Sequence, residues 1–193
     1  MSPQPIRVVL QQPSLPHYRV PVYAELARRP EIDLRVLYAG NAAIANVPAE
    51  GFAAEYVPMR RVRFGQRAQF WWHRAQWRPA GGACDVLILS GDLHYVSLIP
   101  SLLRARRHGV GTVLWSHGYS KSGVWMAQSL RRRVNDMADA LMFYNHQTAE
   151  RAASEIDRQR IFVALNALDH TSTAEARAHW EARPDELAAF RRD

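Results

Sequence analysis

Short apolar runs, each closed by a polar turn and most followed by a helical pattern, constrain this chain more than any other feature. They fall at Arg7–Leu10, Leu34–Tyr38, Glu55–Pro58, Val86–Leu89, Thr112–Ser116, Ala140–Tyr144 and Ile161–Leu165. Several lack the polar–apolar alternation of a strand with one wet face, so they read as strands of a parallel sheet covered on both faces. Helical periodicity lies between them, at Val20–Arg29, Val96–His108, Val124–Ala138 and Thr148–Glu155. Strands alternating with helices predict an α/β fold built on an open, doubly wound parallel sheet.

A chain of 193 residues holds one such domain with a proper core and is too short for two large ones. No repeat or linker interrupts it before about residue 169, so residues 1–169 read as one unit. Residues 170–193 are polar and charged, with helix-forming stretches on either side of Pro184, and read as a linker or the opening of a further domain. The single cysteine, Cys84, excludes an internal disulfide framework and fits a reducing compartment. Met1 to Pro5 lack the basic and apolar regions of a secretion signal, and no apolar run is long enough to span a bilayer. The expected location is cytoplasmic.

The net charge is +7, and Lys121 is the only lysine among 25 Lys and Arg residues. Such a balance suits nucleic acid, anionic membrane or phosphorylated ligands; a GC-rich genome writes the same arginine excess.

In open parallel sheets, ligands bind beyond the carboxyl ends of the strands. After the first strand come Pro16, His17, Tyr18 and Arg19; after the fourth, Ser90, Gly91 and Asp92, then His94 and Tyr95 opening a helix. After the fifth come His117, Gly118 and the run to Gly123, which includes Lys121; Asn145-His146 and Asn166 follow the last two. Polar groups at so many strand ends predict a binding cleft. Simpler roles compete for some of them. His17 can cap a helix, Tyr18 can pack on the sheet edge, and His94 and Tyr95 can be ordinary first-turn residues. His117 is the most pointed candidate, since the glycine behind it frees the local backbone. Lys121 precedes a helix whose free N–H groups favour an anion, although a surface lysine needs no such reason.

Other chemistries lack their motifs. No G-x-G-x-x-G follows the first strand, and "GYSKSG" has the wrong order for a phosphate loop. The histidines show no zinc spacing, and no serine sits in a G-x-S-x-G elbow.

Taken together, "LPHYRVPVYAELARR", "SGDLHYVS", "LWSHGYSKSG", "ADALMFYNHQTAERA" and "IFVALNALD" resemble the N-terminal domain of family-4 glycosyltransferases of the GT-B fold. The resemblance implies a Rossmann-like domain forming the acceptor side of a two-domain enzyme. It also implies transfer of a sugar, with retention, from a nucleotide sugar to a glycan or lipid-linked acceptor, with no metal and no other cofactor. His117 would orient the transferred sugar as the catalytic-site residue. Pro16, His17, Tyr18, Arg19, Asp92, Gly118 and Lys121 would shape the acceptor side, and Tyr95 its floor. Ala167 and Leu168 stand where the family more often has Gly and Val. No segment corresponds to the family's donor-binding C-terminal domain, so the expectation is one half of an enzyme, inactive alone. The competing reading is a non-catalytic glycan- or partner-binding domain.

The stretch Arg60 to Pro79, "RRVRFGQRAQFWWHRAQWRP", mixes arginines with aromatics. As a helix over Arg67–Arg78 it would set Phe70, Trp71 and Trp77 on one face with Arg67, Arg74 and Arg78, a pattern suited to an anionic membrane surface. The protein would then sit peripherally on the inner face of the membrane. Arginines snorkelling away from a packed aromatic face give the same sequence. A nucleic-acid-binding module is disfavoured, because no RNP, KH or helix-turn-helix pattern occurs and the basic residues are dispersed.

Overall fold

The computed structural model describes residues 4–40, 44–64, 68–118, 125–165 and 171–190. Seven strands form one parallel sheet: β1 (Ile6–Gln12), β2 (Ile32–Tyr38), β3 (Ala53–Tyr56), β6 (Val86–Ser90), β7 (Gly111–Ser116), β8 (Ala140–Phe143) and β9 (Ile161–Val163). Their order is β3-β2-β1-β6-β7-β8-β9, with β1 pairing β2 and β6 in parallel on its two sides. Each of these strands overlaps an apolar run of the sequence. The fold is α/β and Rossmann-like.

Helices α1 (Val20–Ala27), α3 (Leu98–Arg107), α4 (Trp125–Met137) and α5 (His146–Ala153) follow strands as the periodicity predicts. Helix α5 begins earlier than expected because Asn145, in extended backbone, accepts the Thr148 N–H at 2.7 Å and so caps it. Beyond the sheet, α6 (Thr171–Glu181) and α7 (Pro184–Phe190) flank the Pro184 break, with Trp180 and Phe190 rings 5.9 Å apart. Among the described residues, no helix is long and apolar enough to cross a membrane.

Alternate strand residues feed two cores. On one face Leu87, Leu89, Leu114, Leu141 and Phe143 meet Leu98 and Leu102 of α3, Val134 of α4 and Ala149 of α5. Full burial of each such large apolar side chain is worth about 1.5–3 kcal/mol. On the other face Val8, Leu10, Leu34 and Val36 surround Tyr23 of α1. The expectation of complete cover on both faces needs correction at β6 and β8. Val86, Ile88 and Met142 lie on the α1 face but are only half-buried. Their apolar character overstates the cover.

The helix expected over Arg67–Arg78 is not there. Residues Met59–Phe64 (β4) and Ala68–His73 (β5) form an antiparallel hairpin, and only Arg74–Trp77 (α2) is helical. The run Phe70-Trp71-Trp72 has the aromatic content that favours strand over helix. Phe70, Trp71, Arg74, Trp77 and Arg78 therefore share no helical face, and Arg67 lies outside the described residues. Trp71 packs against the main core, Trp72 leans on Trp77 at 5.9 Å, and Arg104 of α3 lies over Trp77 at 4.7 Å. Arg74 is exposed, and Arg78, also exposed, pairs with Glu55. Trp71, Trp72 and Trp77 make packing contacts while staying half-exposed, and the shared helical face expected for a membrane patch is absent.

A buried polar network ties this hairpin to the sheet. Gln11 of β1 donates to Nδ1 of His73 at 2.9 Å, and His73 Nε2–H donates to the Val57 carbonyl at 3.0 Å. A carbonyl only accepts, which fixes the tautomer. Gln76 donates to Gln11 Oε1, Ser97 Oγ donates to Gln76 Oε1, and the His73 N–H donates to Ser97 Oγ. Every member is satisfied, as burial requires. The main chain adds Trp71 N–H to His94 O at 2.9 Å and Val96 N–H to Trp71 O at 3.0 Å.

Burial pushes the His73 imidazole down from 6.5 to about 4, against the opposing pull of the Val57 carbonyl. The unfolded chain therefore binds the extra proton first as pH falls. Stability from this site is whole above about pH 6.5, is lost progressively toward pH 4, and amounts to on the order of 3 kcal/mol. Urea midpoints measured across that window should fall with pH. A His73→Gln variant, less stable near neutrality, should lose this part of the slope.

Candidate functional site

Strand β1 hands the chain to α1 and β2 on one side, while its neighbour β6 hands it to α3 and β7 on the other. The loops leaving these adjacent strands diverge and open a crevice at the carboxyl edge. A cavity of about 320 Å³ occupies it.

The loop after β1 forms one wall. Pro13 and Pro16 fix their backbone angles, Leu15 is fully buried, and the turn His17–Arg19 leads into α1. The loop after β2 holds it: Asn46 accepts the Leu15 N–H at 2.7 Å and donates to the Ala39 carbonyl at 2.9 Å. The Val47 N–H donates to Leu15 O at 3.0 Å.

Arg19 is only 8% exposed. Its guanidinium lies 4.2 Å from the Trp115 ring centre and 5.2 Å from that of Tyr144. Nη2 donates to the Tyr144 hydroxyl at 2.9 Å and Nη1 to the Tyr23 hydroxyl at 3.4 Å. Burial pushes Tyr23 up to about 12 and raises Tyr144, each against the pull of Arg19. Both phenols are thus neutral near pH 7. Among the described residues no carboxylate pairs with Arg19, and the faces of Trp115 and Tyr144 supply its main compensation.

The opposite wall comes from the ends of β7 and β8. Trp115 stacks on Tyr144 with ring centres 5.2 Å apart, and His117 lies on Tyr144 at 4.2 Å. Trp115 and His117 are two positions apart and so address the same face of the strand. Gly118 follows at φ +82°, and a Cβ there would run into the Thr148 methyl. Only glycine fits that position. Gly91, after β6, is close-packed too: a Cβ would lie 2.8 Å from Ser116 Cβ. Asp92, on the exposed rim, spends Oδ1 on the His94 N–H at 3.0 Å and the His94 ring at 2.7 Å.

Of the residues the sequence singled out, Pro16, Tyr18, Arg19, Asp92, His117 and Gly118 line this one cavity. His17 does not; it is exposed, with its ring edge-on to Tyr18 at 5.6 Å. Nor does Tyr95, expected as the floor. It is buried in the α3-side core, stacked on His73 at 6.0 Å, and burial pushes its phenol up. Lys121 lies outside the described residues, as do Asn166, Ala167, Leu168 and Asp169. Three lining residues carried no clear sequence signal of a site: Trp115 and Tyr144 read as strand, and Arg131 of α4 follows no strand end. The two-residue spacing from Trp115 to His117 was the available clue.

Comparison with protein-family models and with curated proteins returns no match. Among the described residues, no three His, Cys, Asp or Glu side chains gather as a metal site would need.

Gly118→Ala should cost about 2 kcal/mol or more through backbone strain and the Thr148 collision. Thermal denaturation of the variant and of the Gly118→Ala/Thr148→Ser double variant checks it. Removing the Thr148 methyl should restore part of the loss, leaving the strain at φ.

Proposed function

We propose that this chain is the acceptor-side domain of a GT-B glycosyltransferase of the family-4 type, and that its cleft holds the saccharide to be glycosylated. The observation that carries this reading is the ring stack Trp115–Tyr144–His117 forming a wall of a cavity at the sheet's switch point. Aromatic surfaces match the C–H faces of a sugar ring, and ring nitrogens and hydroxyls match its oxygens. The ordered sequence resemblance supports the same assignment.

In the reaction an acceptor hydroxyl attacks the anomeric carbon of a nucleotide sugar as the nucleoside diphosphate departs. The acceptor-side domain contributes position. Held against Tyr144 and backed by a glycine that lets the chain turn, His117 is fixed to hydrogen-bond the sugar beside the reacting bond. Asp92 Oδ2 on the rim accepts from an acceptor hydroxyl. Charge developing on the leaving diphosphate needs cationic and N–H donors, most of which the reading assigns to a donor-binding partner domain. The domain alone therefore binds saccharide and transfers none.

Titration of the purified chain with a panel of mono- to tetrasaccharides, followed by tryptophan fluorescence, tests this. Binding should occur, and His117→Ala should weaken it roughly tenfold, as expected for loss of one positioned polar group. No binding by any member of the panel, or turnover of a nucleotide sugar by the chain alone, would overturn the assignment.

A further inference from the structure

We propose that the saccharide taken by this cavity carries a phosphate group, received by Arg19 and Arg131. The proposal rests on the saccharide reading above and adds to it the charge of the ligand.

Two guanidiniums at one cavity keep donors without acceptors among the described residues. Arg131 makes one hydrogen bond among the described residues, from Nη1 to the Gly91 carbonyl, long at 3.4 Å. Arg19 gives two of its N–H groups to neutral phenols and has donors left over. Donors left over on a guanidinium that lines a cavity are open to an outside acceptor.

The charges point the same way. Two guanidiniums line the cavity, and burying a cation without an opposite charge is costly. Burial already disfavours the charged form of Arg131, with Asp92 pulling the other way. Asp92 is the sole carboxylate among the described lining residues, and it sits exposed on the rim with one oxygen committed to His94. A dianionic phosphate offers charge for both arginines and terminal oxygens for their remaining donors. A carboxylate brings one charge and two oxygens, fewer than two guanidiniums can use. At about 320 Å³ the space is small for a ligand site, since such sites run from about 300 to 1,000 Å³. It suits one sugar ring with its phosphate.

Calorimetric titration of the full chain with hexose 1-phosphates, the matching free hexoses, the matching hexuronates and inorganic phosphate tests the proposal. A hexose linked through diphosphate to a short prenyl chain separates a lipid-linked source from a soluble sugar phosphate. Phosphorylated sugars should bind at least tenfold tighter than free hexoses, and added salt should narrow the gap. Arg131→Gln, at a half-exposed position, should reduce that preference several-fold. Arg19→Lys retains charge without the planar stack and should fall between wild type and Arg131→Gln. Equal binding of hexose and hexose phosphate overturns the phosphate and leaves the saccharide reading standing. A preference for hexuronate overturns it in favour of a carboxylate. Inorganic phosphate binding as tightly as the sugar phosphates reduces the site to a simple anion site, and failure of every sugar removes both readings.

Discussion

Strand β1 lies between two neighbours whose outgoing connections run in opposite directions, and the working edge of the molecule follows from that. No loop can bridge the gap between the ends of β1 and β6, because the chain leaves one toward β2 and the other toward β7. A crevice is compulsory there; its chemistry is not. The prolines after β1 stiffen one wall, Asn46 braces it from the loop after β2, and Gly91 and Gly118 let the opposite walls come close. Arg19 then reaches from the β1 loop across to the ends of β7 and β8. The same residue that closes the fold at this edge lies at the cavity surface.

The sheet was legible because unalternated apolar runs survive almost any tertiary context. Leu87, Leu89, Leu114 and Leu141 sit in the core where such runs place them. The hairpin was not legible. Phe70, Trp71 and Trp72 between arginines satisfy a helical wheel as well as a strand, and the choice was made by partners distant in sequence, His94 and Val96, through main-chain bonds. Tyr95 failed as a site residue for a related reason. It stands near a strand end in sequence, but the bridge to Trp71 turns it into the α3-side core. Proximity to a strand end names candidates; which side of the sheet a residue takes depends on pairings that one sequence does not spell out. Tyr144 and Arg131 illustrate the converse, reaching the cavity from positions that look like structure alone.

Two buried polar constellations flank β1, and they differ in a way that separates structure from function. Around His73 every polar side-chain atom has a hydrogen-bond partner and the ring is neutral near pH 7. Such a cluster specifies packing and leaves no valence for a ligand. Around Arg19 the books stay open: a permanent cation faces aromatic rings and neutral hydroxyls, with the indole N–H of Trp115 idle beside it. Had the fold needed only to bury that guanidinium, one carboxylate in place of Tyr144 would have neutralised it. Cation–π contact holds the charge in place at a stabilisation of about 0.5–2 kcal/mol while leaving its field uncancelled. That choice sacrifices stability at the site where an incoming oxyanion would gain most from an uncompensated cation, which is the physical ground for the proposal that places ligand recognition there and not at the network around His73.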